Sequence, residues 1–297
     1  MHVYEELEVL MIKLALTDLD NTLIPMGAPH ASMRAIAAIH AMLDAGLHFG
    51  PVSGRVPAAM RWMFGGDDAC CKTGAFVNGQ LVYVDGRLVH EEPLSGDDLV
   101  GVAKWVGGYE GCALVVYDLD DITETTDGTA YLLGMTAEEL ARHQEAFGRH
   151  PHLAERLDRP TYIKSNVRCD LPWNQMVELR DELRVQFPHL DFVFPTLHGP
   201  FIDILPKGWS KGRAVEVLAE HLGLSLDEVA VFGDSENDVS MLEAVHHSVA
   251  VRNAGDKAVA AANYRIGLSA DDAVADALFA IAKAATTGER PAFLRPL

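Results

Sequence analysis

The stretch Asp18-Leu19-Asp20-Asn21-Thr22-Leu23 follows an apolar run, Ile12 to Leu16, that only Lys13 interrupts. The run reads as a short buried strand, so two carboxylates sit just past its C-terminal end. Open α/β sheets bind their ligands at that edge. If the backbone stays extended to Asp20, the two side chains project to one side. Carboxylates that close repel each other unless a cation or a shared proton relieves them. A lone Asp-x-Asp also occurs in ordinary solvated turns, so the rest of the chain decides what this one means.

Three other segments repeat the pattern of polar groups directly after a strand or at a helix start. Leu47 to Val52 ends at Ser53-Gly54-Arg55, and Pro51 requires that strand to be short or to stop there. Ser210 is placed to cap a helix that begins at Lys211 and stops near Gly223. Val229 to Phe232 leads into Gly233-Asp234-Ser235-Glu236-Asn237-Asp238. On a parallel sheet these points share one edge and can converge. Together they supply a nucleophile, a hydroxyl, an ammonium and several carboxylates. Hard oxygen ligands of that kind suit Mg²⁺, and phosphoryl transfer needs this set of groups. Each residue also has a plainer reading. Ser53 could cap a helix, Asp234 and Asp238 could favour a helix N-terminus, Arg55 could pair with a structural carboxylate, and Lys207 competes with Lys211.

Between these segments the pattern changes. A helix with Met33, Ile36, Ala37, His40 and Leu43 at helical spacing follows the first loop. From about residue 80 the chain turns to hairpins and mixed elements: Leu81–Val84, Asp85-Gly86 and Arg87–His90 form a hairpin. Helices are expected near 97–106, 136–147 and 174–186, and strands near 113–117, 161–167, 191–194 and 201–205. The acidic run 118–128 reads as a solvated loop that could overlie the site. After Gly208 the alternation of short apolar strands and helices resumes, and it closes with an Ala-rich helix at 271–285. The expected architecture is a doubly wound α/β core of residues 11–78 and 199–297, an inserted α+β cap of residues 79–198 and an N-terminal extension of residues 1–10.

Composition limits the partners. The 297 residues carry a net charge of −19 with a pI near 5.0, which disfavours nucleic acid and anionic membranes. Four cysteines, Cys70, Cys71, Cys112 and Cys169, form no Cys-x-x-Cys pair, which suggests reduced thiols in a cytoplasmic setting. No leader pattern or spanning apolar run is read in the sequence.

With all four segments in view, the chain resembles the haloacid dehalogenase superfamily of phosphohydrolases, most closely its Cof-type branch with a large α/β cap. The resemblance covers the chain from Met11 onward. It implies that Asp18 is a nucleophile forming an aspartyl-phosphate and that Asp20 is the general acid–base. It implies that Ser53, with Gly54 and Arg55, Lys211 and Asn237 bind the phosphoryl group. It further implies that Mg²⁺ is held by Asp18, Asp234, Asp238 and the backbone carbonyl of Asp20. Asn21 stands where relatives frequently have glycine, and the left-handed backbone tolerates it. Thr73-Gly74-Ala75 stands where they often have Asn-Gly-Ala, and Arg252 precedes a recurrent Asn253-Ala254 pair. The activity so implied is Mg²⁺-dependent hydrolysis of small phosphomonoesters, sugar phosphates foremost. The alternatives are a phosphotransferase or phosphomutase, a receiver-like switch, and a non-catalytic phospho-ligand-binding member. Tyr117, Arg168, Asp170 and Trp173 are the cap positions to inspect for specificity.

Overall fold

The computed structural model describes residues 11–119, 129–147, 152–195 and 199–294. The expected extension at 1–10, most of the acidic run and His198 lie outside them.

A five-stranded parallel sheet runs in the order Tyr264–Arg265, His247–Ala250, Val229–Gly233, Leu14–Thr17, His48–Pro51. Leu14 is in register with both Val229 and His48, and Thr17 with Phe232 and Pro51. The residues just past these strand ends, Asp18, Asp234 and Val52, therefore leave the sheet at one edge. The strands are short and apolar on both sides because helices cover both faces. Ala15, Phe49 and Phe232 pack toward helices Met33–Asp44 and Ala273–Thr287. Leu14, Leu16 and Val231 pack toward helix Lys211–His221 and its neighbours. Pro51 is tolerated because its strand lies at the sheet's edge in that order.

Helix Met33–Asp44 buries a different stripe from the expected one. Ala35, Ala38, Ile39 and Met42 are buried, while Met33 is 80% exposed. This stripe of two alanines, an isoleucine and a methionine joins the core cluster that includes helix Ala273–Thr287, and Ile36 and Leu43 sit at its margins.

A second sheet has six strands in the order Leu190–Val193, Phe201–Pro206, Lys164–Cys169, Cys112–Asp118, Thr129–Leu133, His152–Leu153, antiparallel except for its last pair. One face carries Leu114, Val116, Val167, Cys169, Ile202 and Ile204 and is covered by helices Gly96–Val106 and Trp173–Gln186. The other face carries Tyr117, Lys164, Asn166 and Asp203, by the strict alternation of strand side chains. The expected hairpin forms, with Asp85 and Gly86 both at positive φ (49° and 76°). It extends a three-stranded sheet with Gly74–Phe76, and Val82 packs into the same cluster as Ala214 and Leu218. Residues 81–91 thus pair with Gly74–Phe76 and pack against helix Lys211–His221, while Phe201–Pro206 is a strand of the antiparallel sheet.

Among the described residues no helix is long and apolar enough to cross a membrane, and Cys70, Cys71, Cys112 and Cys169 are unbridged.

Candidate active site

The loop after Leu14–Thr17 turns back on itself through Asn21, at φ 64°, and Ile24 N donates to Leu19 O at 2.8 Å. This turn presents Asp18 inward, 6% exposed, and leaves Asp20 outward. Asn21 and Thr22 then reach across to the neighbouring loop. Asn21 Nδ2 donates to Asp234 Oδ2 at 2.8 Å and Thr22 Oγ1 to Asp234 Oδ1 at 2.9 Å. Asn253 pins the turn from behind: its Nδ2 donates to the carbonyl of Asn21 at 2.7 Å, and its Oδ1 accepts from Ser269 N at 2.9 Å. Arg252, beside it, is exposed.

Lys211 opens its helix next to Ser210, whose hydroxyl accepts from Arg213 N. Gly212 allows that helix to approach closely: a Cβ there would meet Ser240 O at 2.3 Å. The Lys211 ammonium is fully buried, 2.6 Å from Asp18 Oδ1 and 2.6 Å from Asp238 Oδ1. Asp238 Oδ2 accepts from Asp234 N at 2.9 Å and Ser235 N at 3.0 Å, closing the loop on itself. Lys207, the competing cation, is exposed and pairs with Asp191 at 2.7 Å.

Ser53 is buried, and its hydroxyl accepts from Arg55 N at 3.2 Å. Arg55 turns back over the Asp loop. Its Nε and a terminal NH₂ each donate at 2.8 Å to the two oxygens of Asp20, whose side chain is 50% exposed. Gly54 lies against Asn78, whose Oδ1 would be 3.2 Å from a Cβ there.

Asn78 joins the site without having been expected from the sequence. It accepts from Asn237 Nδ2 at 3.0 Å and donates to Asp203 Oδ2 at 2.7 Å. Thr73, which stands where relatives often have asparagine, serves a turn instead: its hydroxyl accepts from Asp85 N. The available signal was the Asn78-Gly79 pair just before the hairpin, with Asn78 at φ 54° and Gly79 at φ 96°. Of the cap positions singled out, Tyr117 shares the face of Lys164 and Asn166, and Arg168 donates to Ala146 O at 2.6 Å. Asp170 pairs with His143, and the Trp173 ring lies tilted against Phe194, with centroids 4.4 Å apart.

The electrostatics are those of crowded anions. Burial pushes the Asp18 carboxyl well above the usual range, and Asp238, Asp234 and Asp20 add to this while Lys211 opposes it. Burial, then Asp238, push Asp234 up to about 6. Burial works against the Lys211 charge, but Asp18 and Asp238 outweigh it and hold the ammonium above its ordinary value. One ammonium does not balance three buried carboxylates. Ligand atoms of Asp18, Asp234 and Asp238 all lie within 4.8 Å of one another. An all-oxygen donor set with surplus negative charge fits a hard divalent cation such as Mg²⁺. The Asp20 side chain stands apart from that set, with Arg55.

A model of the haloacid dehalogenase-like hydrolase family matches residues 15–278. The chain belongs to this family. Its architecture and relatives place it among the Cof-type phosphohydrolases of the superfamily. It is 35% identical over 118 residues to the HMP-PP phosphatase of Serratia proteamaculans, a match spanning 39% of this chain and 42% of that protein's length. The HMP-PP phosphatase of Enterobacter sp. strain 638 is 26% identical over 258 residues, covering 84% of this chain and 88% of its own. Among solved structures, the subclass IIB sugar phosphatase BT4131 superposes with a TM-score of 0.71 at 19% identity, over 90% of this chain and 97% of that one. That last likeness speaks for the fold.

Proposed function

We propose that the protein hydrolyses small phosphomonoesters through a covalent aspartyl-phosphate on Asp18. The observation that carries this reading is the convergence of Asp18, Lys211, Asp234 and Asp238, drawn from three distant segments, at one edge of the parallel sheet. In the proposed first step a carboxylate oxygen of Asp18 attacks phosphorus, and the bond to the leaving oxygen breaks as Asp20 gives that oxygen a proton. In the second step Asp20 takes a proton from water, the water oxygen attacks phosphorus, and the Asp18–phosphorus bond breaks to release phosphate. Lys211 stabilises the ionised form of Asp18 and the charge that develops on the phosphoryl oxygens. In this reading Ser53 and the backbone around Gly54 and Arg55 orient the phosphoryl group, and Asn237 fixes that side of the site through its bond to Asn78. Asp18, Asp234 and Asp238, with the Asp20 carbonyl, would hold Mg²⁺, which when bound neutralises phosphoryl charge.

We further propose that the antiparallel half acts as a cap. Arg180 of helix Trp173–Gln186 donates to Glu236 at 2.9 Å, joining that half to the Asp234 loop. Release and re-formation of such contacts would let the cap open for substrate and close to exclude water. The relatives' names make sugar phosphates and HMP-PP the first substrates to try.

The test is rapid acid quench during turnover, followed by mass spectrometry of the peptide that carries Asp18. A phosphoryl adduct on that peptide, lost in Asp18→Asn together with activity, is the expected result. Phosphate release that continues in Asp18→Asn with no adduct overturns the reading.

A further inference from the structure

Helix Met33–Asp44 and the turn around Asp67 meet through three donors of three different kinds. His40 projects from the helix, and its Nε2 lies 2.6 Å from Asp67 Oδ2. Cys70 stands beside that pair, and ligand atoms of His40, Asp67 and Cys70 all lie within 4.8 Å of one another. Among the described residues this group and the Asp18 cluster share no member.

Local structure brings the three together. Asp67 caps the single 3-10 turn Asp68–Cys70. Its Oδ1 accepts from Ala69 N at 3.1 Å, and its carbonyl accepts from Cys70 N at 3.2 Å. Residues three apart in such a turn eclipse each other, so Asp67 and Cys70 present their side chains to the side where the helix brings His40. The capping bond fixes the carboxylate and leaves Oδ2 for His40. Metal sites hold their ligands in place through supporting bonds of this kind. Cys70 is buried in the core cluster that includes Met42 and Phe49, whereas the His40 and Asp67 side chains are 43% and 31% exposed. The thiol forms the floor of the group, and His40 and Asp67 form its open rim.

We infer that His40, Asp67 and Cys70 bind a zinc ion, with water as the fourth ligand. Donor chemistry sets the choice of metal. Thiolate and imidazole suit zinc, whereas Mg²⁺ takes hard oxygens and suits the Asp18 cluster. The Asp67 carboxylate and a Cys70 thiolate carry two negative charges, which match a divalent ion. The thiol gives its proton to solvent as zinc binds, and a neutral His40 ring supplies a lone pair. Tetrahedral bonds of about 2.0–2.3 Å set neighbouring donors about 3.3–3.6 Å apart. His40 and Asp67 then separate by about 1 Å or less to admit the ion, a movement that their partial exposure permits. Such an ion would tie the helix to the turn, a structural role that stands independently of the phosphatase reading.

The experiment adds Co²⁺, a spectroscopic substitute for zinc, to the full chain in excess Mg²⁺ and a phosphine reductant. Wild type should gain a thiolate-to-cobalt charge-transfer band in the near ultraviolet that saturates at one equivalent and disappears when Zn²⁺ is added. Cys70→Ser should lose the band. His40→Gln and Asp67→Asn should each weaken cobalt binding at least roughly tenfold, since even a residue that only supports a metal ligand costs that much when replaced. Asp18→Asn should keep the band, which separates this site from the acidic cluster. No band in wild type overturns the inference and leaves a His40–Asp67 hydrogen bond beside a buried thiol. A band that survives Cys70→Ser, a band lost in Asp18→Asn, or an unchanged cobalt affinity in either His40→Gln or Asp67→Asn overturns it as well. If Cys70→Ser fails to fold by circular dichroism, the two variants at part-exposed positions carry the comparison.

Discussion

Arg55 clasps Asp20 with two parallel bonds of 2.8 Å, one to each carboxylate oxygen. The pair joins the loop after the first strand to the loop after the second and holds the proposed acid–base in one orientation. Its members are half exposed, so its worth to folding is small, within about 1 kcal/mol. Arg55→Met should therefore leave the melting temperature nearly unchanged and lower kcat/KM by roughly ten- to a hundredfold. Calorimetry beside steady-state kinetics checks this, and a large loss of stability with normal kinetics would contradict it.

Lys211 is a different case, because its charge is fully buried between Asp18 and Asp238. Removing one partner of a buried ionic cluster leaves uncompensated charge, at a cost of about 3–5 kcal/mol. Lys211→Met should be destabilised by that order in urea unfolding without metal. Mg²⁺ should restore a larger share of stability to this variant than to wild type, because binding to the folded state alone is stabilising. A variant as stable as wild type without metal would count against the cluster as described.

His247 gives a pH dependence with a definite sign. Burial first, then His246 and Arg290, hold its imidazole below the ordinary value, while Asp227 works the other way. The unfolded chain takes up a proton near pH 6.5 and the folded chain resists it. The unfolded state then binds more protons, so stability falls as pH drops through about 6.5. Melting temperatures from pH 7.5 to 5.5 should decline less steeply in His247→Gln than in wild type. An equal slope would remove His247 from the account.

Cys70 and Cys71 should be slow to alkylate. Burial, then Asp67, push the Cys70 thiol up to about 12, and burial, then Asp68, push Cys71 up to about 11. At pH 8 only about a thousandth of Cys71 is thiolate, the reactive form. Iodoacetamide should modify the native protein at least roughly a hundredfold more slowly than the unfolded chain. Rapid labelling at either position in the native protein would contradict this.

The Asp loop, the strands beside it and the helix opened by Lys211 are legible in the sequence because each announces itself locally. A short apolar run ends in polar groups, and Ser210 marks the cap. Lys211 is preferred to Lys207 in the sequence because it opens the helix directly after Ser210, and the structure adds that Lys211 is buried and Lys207 exposed. Asn78 escapes a sequence reading because its partners lie 125 and 159 residues away, and nothing nearby hints at them. Strand Thr129–Leu133 escapes it because its burial runs from half-exposed to buried without alternating. The buried stripe of helix Met33–Asp44, formed by Ala35, Ala38, Ile39 and Met42, is rotated from the expected one, because in so apolar a helix the spacing alone allows more than one inward face. The hairpin at 81–91 has the local pattern of the insertion but packs on the parallel half.

Phosphate release from a panel of sugar phosphates, nucleoside monophosphates, HMP-PP and an aryl phosphate, with and without Mg²⁺, in wild type and Asp18→Asn, tests the central claim most directly. The account predicts Mg²⁺-dependent release by wild type from at least one phosphomonoester and none above background from Asp18→Asn. Release by Asp18→Asn at the wild-type rate, or no release by wild type from any substrate, would contradict it.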